Sequence, residues 1–593
     1  WGSYWDHLFA KDKDGVLQRL MEETVDGEYQ AFKAKGGAYT REHFFGKYPE
    51  TRDMVADMSD EDIWRLNRGG HDPHKVYAAY AEAVEYTGRP TVILAKTVKG
   101  YGMGEAGEGQ NITHSQKKMG EDSLKAFRDR FNIPISDDDI AETPFYKFPE
   151  DSVEMEYMRQ SREQLGGYMP VRSDTAEPLV IPGLEVFDAL LKDSGEREFS
   201  TTMAFVRMLS SLARDKNIGK NIVPIVPDEA RTFGMEGMFR QLGIYSSKGQ
   251  LYEPMDSDQV MYYREDIKGQ ILEEGINEAG AMSSWIAAGS AYTSHGVSMI
   301  PFYIYYSMFG FQRIGDLAWA AGDMQVRGFL MGGTAGRTTL AGEGLQHQDG
   351  HSLVVAGTIP NCVSYDPTFA YELAVIIHSG MKRMYQLKEN VFYYISVMNE
   401  NYLHPAMPKG SEEGIIKGIY CLEEGEEKGP KVQLMGSGTI LREVIAAAEL
   451  LKKDFKINAD VWSVTSVNEL AREAKSCARW NQLHPTKKAR QSYLETTMRG
   501  RKGPVIISTD YIRAYAEQLR EFVWSRFVSL GTDGFGRSDT RENLRVFFEV
   551  NRYYVVVAAL NALSDDGELD SKVVQQAIKK YGIDPEKPDP VTV

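Results

Sequence analysis

Short continuous apolar runs, separated by amphipathic stretches, set the pattern of this chain. Residues 91–95 (TVILA), Ile222–Val226 (IVPIV), 328–331, 391–397 (VFYYISV), 432–435 and 504–508 are apolar segments of strand length. Runs of this kind mark strands buried on both faces, as in parallel sheets. Between them, 440–451 sets Ile440, Leu441, Val444, Ile445, Ala448 and Leu451 on one face at helical spacing. The alternation of strand and helix predicts an α/β architecture with parallel sheets.

One stretch breaks the pattern. Residues 279–312 contain no Asp, Glu, Lys or Arg, an uncharged run of 34 residues. That length could span a bilayer. Gly289, the Ser-His-Gly turn at 294–296 and Pro301 interrupt it, and it is rich in Ser and Tyr. It therefore predicts a buried helix over 279–291 and a buried strand over 298–306, with no membrane span.

Length and charge narrow the class. A chain of 593 residues predicts three or four domains. Against 85 Asp and Glu stand 68 Lys and Arg, a net charge of −17. Such a surface argues against nucleic acid or an anionic membrane as partner. Cys362, Cys421 and Cys477 are too far apart for a disulfide framework or a CxxC metal knuckle, and suit a reducing cytoplasm. Polar stretches at 150–177 and 399–413 divide the chain into segments 1–177, 178–407 and 408–593. The first offers one convincing buried strand, where a doubly wound domain needs about four to six. With the opening Trp1-Gly2-Ser3, it reads as the C-terminal part of a domain that starts before residue 1.

Several clusters carry possible chemistry. Gly102-Met-Gly104-Glu-Ala-Gly107 spells GxGxxG, but polar Glu108-Gly109-Gln110-Asn111 follows where a dinucleotide fingerprint opens a helix. A mobile glycine-rich loop fits better, running over about 105–120 to His114 and Lys117-Lys118. His347 and His351, four apart, and His71 and His74 resemble metal spacings. The intervening Asp-Gly and Asp-Pro disfavour helix, and no third ligand lies nearby in sequence. Thr338, Thr339, Glu343, Gln346, His347, Asp349 and His351 gather past a strand end. That is a ligand position in α/β proteins or, alternatively, a solvated loop. Asp228 and Glu229 follow another strand, as site carboxylates or as acids favoured at a helix N-terminus. Glu278, the last charge before the uncharged run, reads equally as a first-turn carboxylate or as a buried acid with a raised pKa. Spacing supports an α/β enzyme with acid/base groups at strand ends and goes no further.

Longer segments go further. GGAYTREHFFGKYPE (36–50), LNRGGHDPHKVYAAY (66–80), KTVKGYGMG (96–104), PDEARTFGMEGMFRQLGIY (227–245), EGINEAGAMSSW (274–285), IPFYIYYSMFGFQRIGDLAWAAGD (300–323), GRTTLAGEGLQHQDGHS (336–352), STDYIRAYAEQLREFV (508–523) and LGTDGFGRSDTRENLR (530–545) run along the whole chain. Together they resemble the homodimeric bacterial pyruvate dehydrogenases, the decarboxylating components of the pyruvate dehydrogenase complex.

The resemblance implies a transketolase-like α/β fold of three doubly wound, mainly parallel domains, the first incomplete. Segment 1–177 would be the remnant of a diphosphate-binding domain, 178–407 the pyrimidine-binding domain and 408–593 the C-terminal domain. It implies a cytoplasmic enzyme that uses thiamine diphosphate and Mg²⁺ to decarboxylate pyruvate oxidatively. The acetyl group would pass to the lipoyl group of a dihydrolipoyl acetyltransferase partner. By the same resemblance, Glu278 bonds the cofactor's aminopyrimidine and promotes its imino tautomer, Phe309 stacks on that ring, and Tyr306 and His347 face the substrate. Lys99 meets the anionic substrate, Glu229 lines the active-site channel, and His114 receives the lipoyl domain. At the loop this chain reads Asn-Ile-Thr-His114-Ser-Gln, where the family more usually has His-Gln. The Gly-Asp-Gly…Asn motif that holds Mg²⁺ and the diphosphate occurs nowhere in the chain, so those ligands are expected upstream of residue 1. The alternatives are a non-catalytic dimer-forming fragment, or a related 2-oxoacid dehydrogenase or transketolase.

Overall fold

The computed structural model describes residues 1–168, 173–227 and 230–593. Trp1–Tyr168 forms one compact unit and the rest of the chain, to Val593, a second.

Short helices build the first unit around an aromatic core of Trp5, Phe32, Phe44 and Phe45 with Leu8, Leu17 and Leu20. Among its described residues there is no strand. The buried strand expected at 91–95 is thus corrected: the run pairs with nothing, and Val92 and Leu94 are 81% and 92% exposed. An apolar run supplies the faces of a strand but not its neighbours, and without a ladder the burial does not follow. Just beyond it the chain is tied down. The Gly70 N–H donates to the Lys96 carbonyl at 3.0 Å, and the Val98 N–H to His71 Nε2 at 2.6 Å.

The glycine-rich loop closes on its own carboxylate. Gly102 and Gly104 have φ of +94° and +51°, and both donate backbone N–H groups to buried Glu108, at 3.1 and 3.2 Å. Arg130 bonds the same carboxylate, and Lys33 lies 3.4 Å away. Even a methyl group at Gly102 would meet the Phe127 and Phe131 rings at 2.7 Å. The loop's donors are spent internally, so no dinucleotide cradle is left.

Two sheets carry the second unit. The first contains β1 (Ile222–Val226), β2 (Leu272–Glu273), β3 (Ile300–Tyr306), β4 (Phe329–Gly333), β5 (Cys362–Tyr365) and β6 (Phe392–Ser396), all parallel, in the order β2-β1-β3-β4-β6-β5. The second contains β7 (Tyr420–Glu423), β8 (Lys431–Gly436), β9 (Asn458–Ser463), β10 (Val505–Ser508) and β11 (Phe527–Leu530), in the order β11-β10-β8-β9-β7, with only β7 antiparallel. The uncharged run folds as expected, into a helix (Glu278–Ser294) and β3. Trp285 at the helix's centre donates its indole N–H to the Phe329 carbonyl at 3.1 Å. The helix expected at 440–451 starts after a tight turn at Gly438–Ile440, runs Leu441–Leu450 and ends in a wide turn, Leu451–Phe455. Strands β2, β5, β7, β9 and β11 escape the sequence pattern.

Three buried carboxylates join the two sheets. Asp510, just past β10, accepts from the Thr338 N–H (2.9 Å) and from the Thr338 and Thr339 hydroxyls (2.7 and 2.6 Å). Asp366, just past β5, accepts from Ser396 (2.5 Å) and Ser437 (2.7 Å). Glu372 accepts from Ser463 and Tyr420, and from the backbone at Thr368 and Phe369. Burial raises the pKa of all three, that of Asp366 to about 7. Thr338 and Thr339, which from sequence could line a ligand site or a solvated loop, belong instead to this joint.

Candidate active site

The carboxyl end of β3 sets the site. Parallel register pairs Tyr306 with Gly333 of β4, and Phe233 packs on Gly333, where a Cβ would come within 2.6 Å of its ring. That glycine lets Phe233 reach Tyr306, with ring centroids 5.3 Å apart. Three residues past Tyr306, Phe309 caps the helix Gly310–Asp323. His347 ends a tight turn, Leu345–His347. Its ring lies 5.0 Å from Tyr306 and 5.2 Å from Phe309, and the two aromatic rings meet edge-on at 5.9 Å.

Glu278 opens the helix that follows the Asn277 cap, where the helix dipole favours a carboxylate. Its side chain is 12% exposed and bonds Arg313 Nη1 at 2.5 Å. The Arg313 guanidinium in turn lies 4.3 Å above the Phe309 ring, a cation–π contact. Carboxylate, guanidinium, aromatic face and imidazole are thereby linked in one connected set. Nearby, the Tyr303 hydroxyl is buried with no hydrogen-bond partner among the described residues; burial, with Glu278 and Glu274 close by, raises its pKa.

Asp349 anchors the His347 loop from below. It accepts from Ser307 (2.7 Å) and from the backbone N–H groups of His351 (3.0 Å) and Ser352 (2.9 Å). His351 is turned away to Gln312, 2.9 Å distant, so the two histidines do not converge on a metal. His71 stacks on Tyr101 at 3.9 Å, and burial lowers its pKa. Among the described residues, no three His, Cys, Asp or Glu side chains come together as a metal site.

Of the expected residues, the fold brings Glu278, Tyr306, Phe309 and His347 together. Lys99 and His114 lie in the first unit, Lys99 exposed beside the glycine-rich loop and His114 exposed at the end of the turn Asn111–His114. Glu229, with Asp228, falls outside the described residues.

Comparison with known proteins decides the family. Residues 179–405 match the pyruvate dehydrogenase E1 component middle domain, and 418–551 the transketolase-like C-terminal domain. The pyruvate dehydrogenase E1 component of Pseudomonas aeruginosa is 65% identical over all 593 residues, which cover 67% of that relative. The chain belongs to the pyruvate dehydrogenase E1 component family. Relatives of the same name in Cupriavidus necator and Escherichia coli are 62% and 59% identical, again over the whole of this chain and 66% of theirs. This E1-family chain thus spans about two thirds of the length of those relatives. In fold it resembles the transketolases of Campylobacter jejuni (TM-score 0.58, 17% identity, 86% of this chain and 70% of that one) and Leishmania mexicana (0.55, 16%, 87% and 68%).

Sequence reasoning missed Arg313, Phe233 and the anchoring role of Asp349. For Arg313 a signal existed. The uncharged run is bounded by Glu278 on one side and Arg313 on the other, and the fold of this E1-family chain pairs the two. Arg313 also stands four residues after Phe309, the spacing that sets a cation over a ring on a helix.

Proposed function

We propose that the protein to which these residues belong carries out thiamine diphosphate-dependent oxidative decarboxylation of pyruvate and transfers the acetyl group to the lipoyl group of a dihydrolipoyl acetyltransferase. The observation that carries the reading is the convergence of Glu278, Tyr306, Phe309 and His347, drawn from 70 positions of sequence, in a chain of the E1 family. Phe309 offers a flat apolar face, and Glu278 a carboxylate beside it that can hold or release a proton at an aminopyrimidine ring; these residues fit the pyrimidine half of the cofactor. When bound, the cofactor supplies a carbanion that adds to the keto carbon and accepts the electrons of decarboxylation. In this reading the aromatic walls and uncharged strand limit water at the reacting centre, and His347 and Tyr306 exchange protons with the substrate. For the diphosphate and Mg²⁺ the described residues show no metal-ligand set, and no step is assigned to them. Lys99, His114 and Glu229 take the roles of substrate anion contact, lipoyl-domain receptor and channel acid in this reading.

The working unit is a cytoplasmic homodimer. Ala279, Ser283 and Ala287 leave an exposed uncharged stripe along one helix, and Trp319 is exposed on the next, a surface suited to a second copy. We assign 1–177, 178–407 and 408–593 to diphosphate-binding, pyrimidine-binding and C-terminal domains. A second reading is a non-catalytic dimerising fragment; what supports it is that the described residues include no metal-ligand set.

Glu278→Gln keeps shape and hydrogen bonding but cannot carry the proton. In the full-length enzyme, pyruvate-dependent lipoyl acetylation should fall by about two orders of magnitude or more, with an unchanged melting midpoint. Near-normal activity would remove Glu278 from the mechanism. Preference for 2-oxoglutarate or a ketose phosphate would overturn the substrate assignment. Thiamine diphosphate binding to the 593-residue chain would sink the fragment reading.

A further inference from the structure

The loop that carries His347 is closed from its far side by the C-terminal domain. Residues 531–540 lead from β11 to the helix Arg541–Phe547, and they meet residues 337–350 at three points. At one end Arg337 Nη1 donates to the Thr532 carbonyl and, at 2.5 Å, to the Gly534 carbonyl. In the middle the Gly342 N–H donates to the Asp539 carbonyl at 2.9 Å. At the other end Gln348, only 1% exposed, spends its whole side-chain amide on one residue. Its Nε2 donates to the Arg537 carbonyl at 2.5 Å, and its Oε1 accepts from the Arg537 N–H at 2.6 Å. We infer that Gln348 is a positioning residue, which fixes His347 against Tyr306 and Phe309 by tying its loop to the C-terminal domain. The inference deepens the decarboxylation reading, on which the role of His347 rests.

The His347 ring has little of its own to hold it. Among the described residues its Nδ1 is buried without a hydrogen bond, and the Glu343 carboxylate lies 3.4 Å off. Ring contacts and the backbone on either side therefore set its place. Gln348 is the next residue, and its amide answers both the N–H and the C=O of Arg537, as a rung of an antiparallel ladder does. Such a pair fixes distance and direction together. Two residues further on, the Gly350 carbonyl accepts from the Ile512 N–H at 2.9 Å, so the C-terminal domain grips the loop twice just past the imidazole.

The approach is tight enough to transmit a displacement. A Cβ at Gly536 would come within 2.8 Å of the Leu345 carbonyl and 3.0 Å of Gln348 Cβ, on the turn that ends at His347. Close-packed surfaces have no slack in which to absorb such a shift. A group that exchanges a proton works only within hydrogen-bond reach, and a misplacement of about 1 Å can cost up to about two orders of magnitude in rate. The C-terminal domain thereby acts on a site whose converging residues all come from outside it.

The full-length enzyme is compared in native form and as Gln348→Met, Gly536→Ala, His347→Ala and the double variant of Gln348→Met with His347→Ala. Gln348→Met keeps the bulk of the side chain and removes both bonds to Arg537. Labelling of His347 by diethyl pyrocarbonate, read by peptide mass spectrometry well below every melting midpoint, reports the ring's placement whatever the substrate. It should run severalfold faster in Gln348→Met. With pyruvate, kcat should fall about tenfold or more while KM stays within about twofold of native. Added to His347→Ala, Gln348→Met should change kcat by less than about twofold, since it has no imidazole left to act through. Should Gln348→Met fail to fold, Gly536→Ala on the opposing loop should give the same faster labelling and loss of kcat. Native labelling rates or undiminished kcat in the folded variants would overturn the inference, as would a loss in Gln348→Met that multiplies with that of His347→Ala. Faster labelling in an enzyme whose native form does not turn over pyruvate would uphold the clamp and overturn the decarboxylation reading instead.

Discussion

Asp366 gives the sharpest handle on the joint between the two sheets. It is fully buried, and desolvation, the largest influence, raises its pKa from 3.8 to about 7, against the pull of bonds from Ser396 and Ser437. The fold thus favours the neutral acid. Its contribution to stability is complete below about pH 4, where folded and unfolded chains are both protonated. It declines as pH rises toward 7, because only the unfolded chain ionises, and is level above that. At ~1.4 kcal/mol per pH unit the whole decline is about 4 kcal/mol, of which about 3 kcal/mol falls between pH 5 and pH 8. Asp366→Asn cannot ionise, and the two serine hydroxyls can rotate to accept from its amide. The stability of the variant minus that of the native chain should therefore grow by about 3 kcal/mol between pH 5 and pH 8. Guanidinium midpoints followed by intrinsic fluorescence, for both proteins at both pH values, read this directly. Glu372 and Asp510 are present in both, so their own titration largely cancels in the difference. A variant whose midpoint tracks that of the native chain at both pH values would refute a neutral Asp366.

Two further outcomes follow from packing and charge. Gly333→Ala puts a Cβ 2.6 Å from the Phe233 ring and 3.2 Å from the Tyr305 carbonyl; it should cost about 1–3 kcal/mol in melting stability and weaken binding of any ligand at Tyr306 and Phe309. Glu400, partly buried, sits between Arg545 and Arg442, bonding Arg442 at 2.7 Å, and against the cost of burial these cations hold its pKa low. Glu400→Gln should destabilise by about 3 kcal/mol near neutral pH, because Arg545 is left poorly compensated. Adding Arg545→Met should recover part of that loss, and strict additivity of the two in a double-mutant cycle would count against the pair.

Local chemistry was legible where it is self-sufficient. The run IVPIV at 222–226 is a strand to the residue, because a short, wholly apolar segment between polar turns has few other ways to bury itself. The uncharged stretch 279–312 announced a buried helix and strand, and Phe309, Tyr306, Glu278 and His347 carried enough of the family's pattern to be named as one site. What the sequence could not settle is pairing. The run TVILA at 91–95 is as apolar as its counterparts, yet Val92 and Leu94 stand in solvent, because a strand is stable only against neighbours. Thr338 and Thr339 look like ligand contacts until Asp510, 172 residues from Thr338, takes both hydroxyls. The 34 uncharged residues between Glu278 and Arg313 mark the two as the ends of one run, but only the fold brings them to 2.5 Å. Residue type and spacing determined which segments bury and which groups could react. Tertiary structure alone decided which charges are answered, since that depends on what the fold brings within a few ångströms.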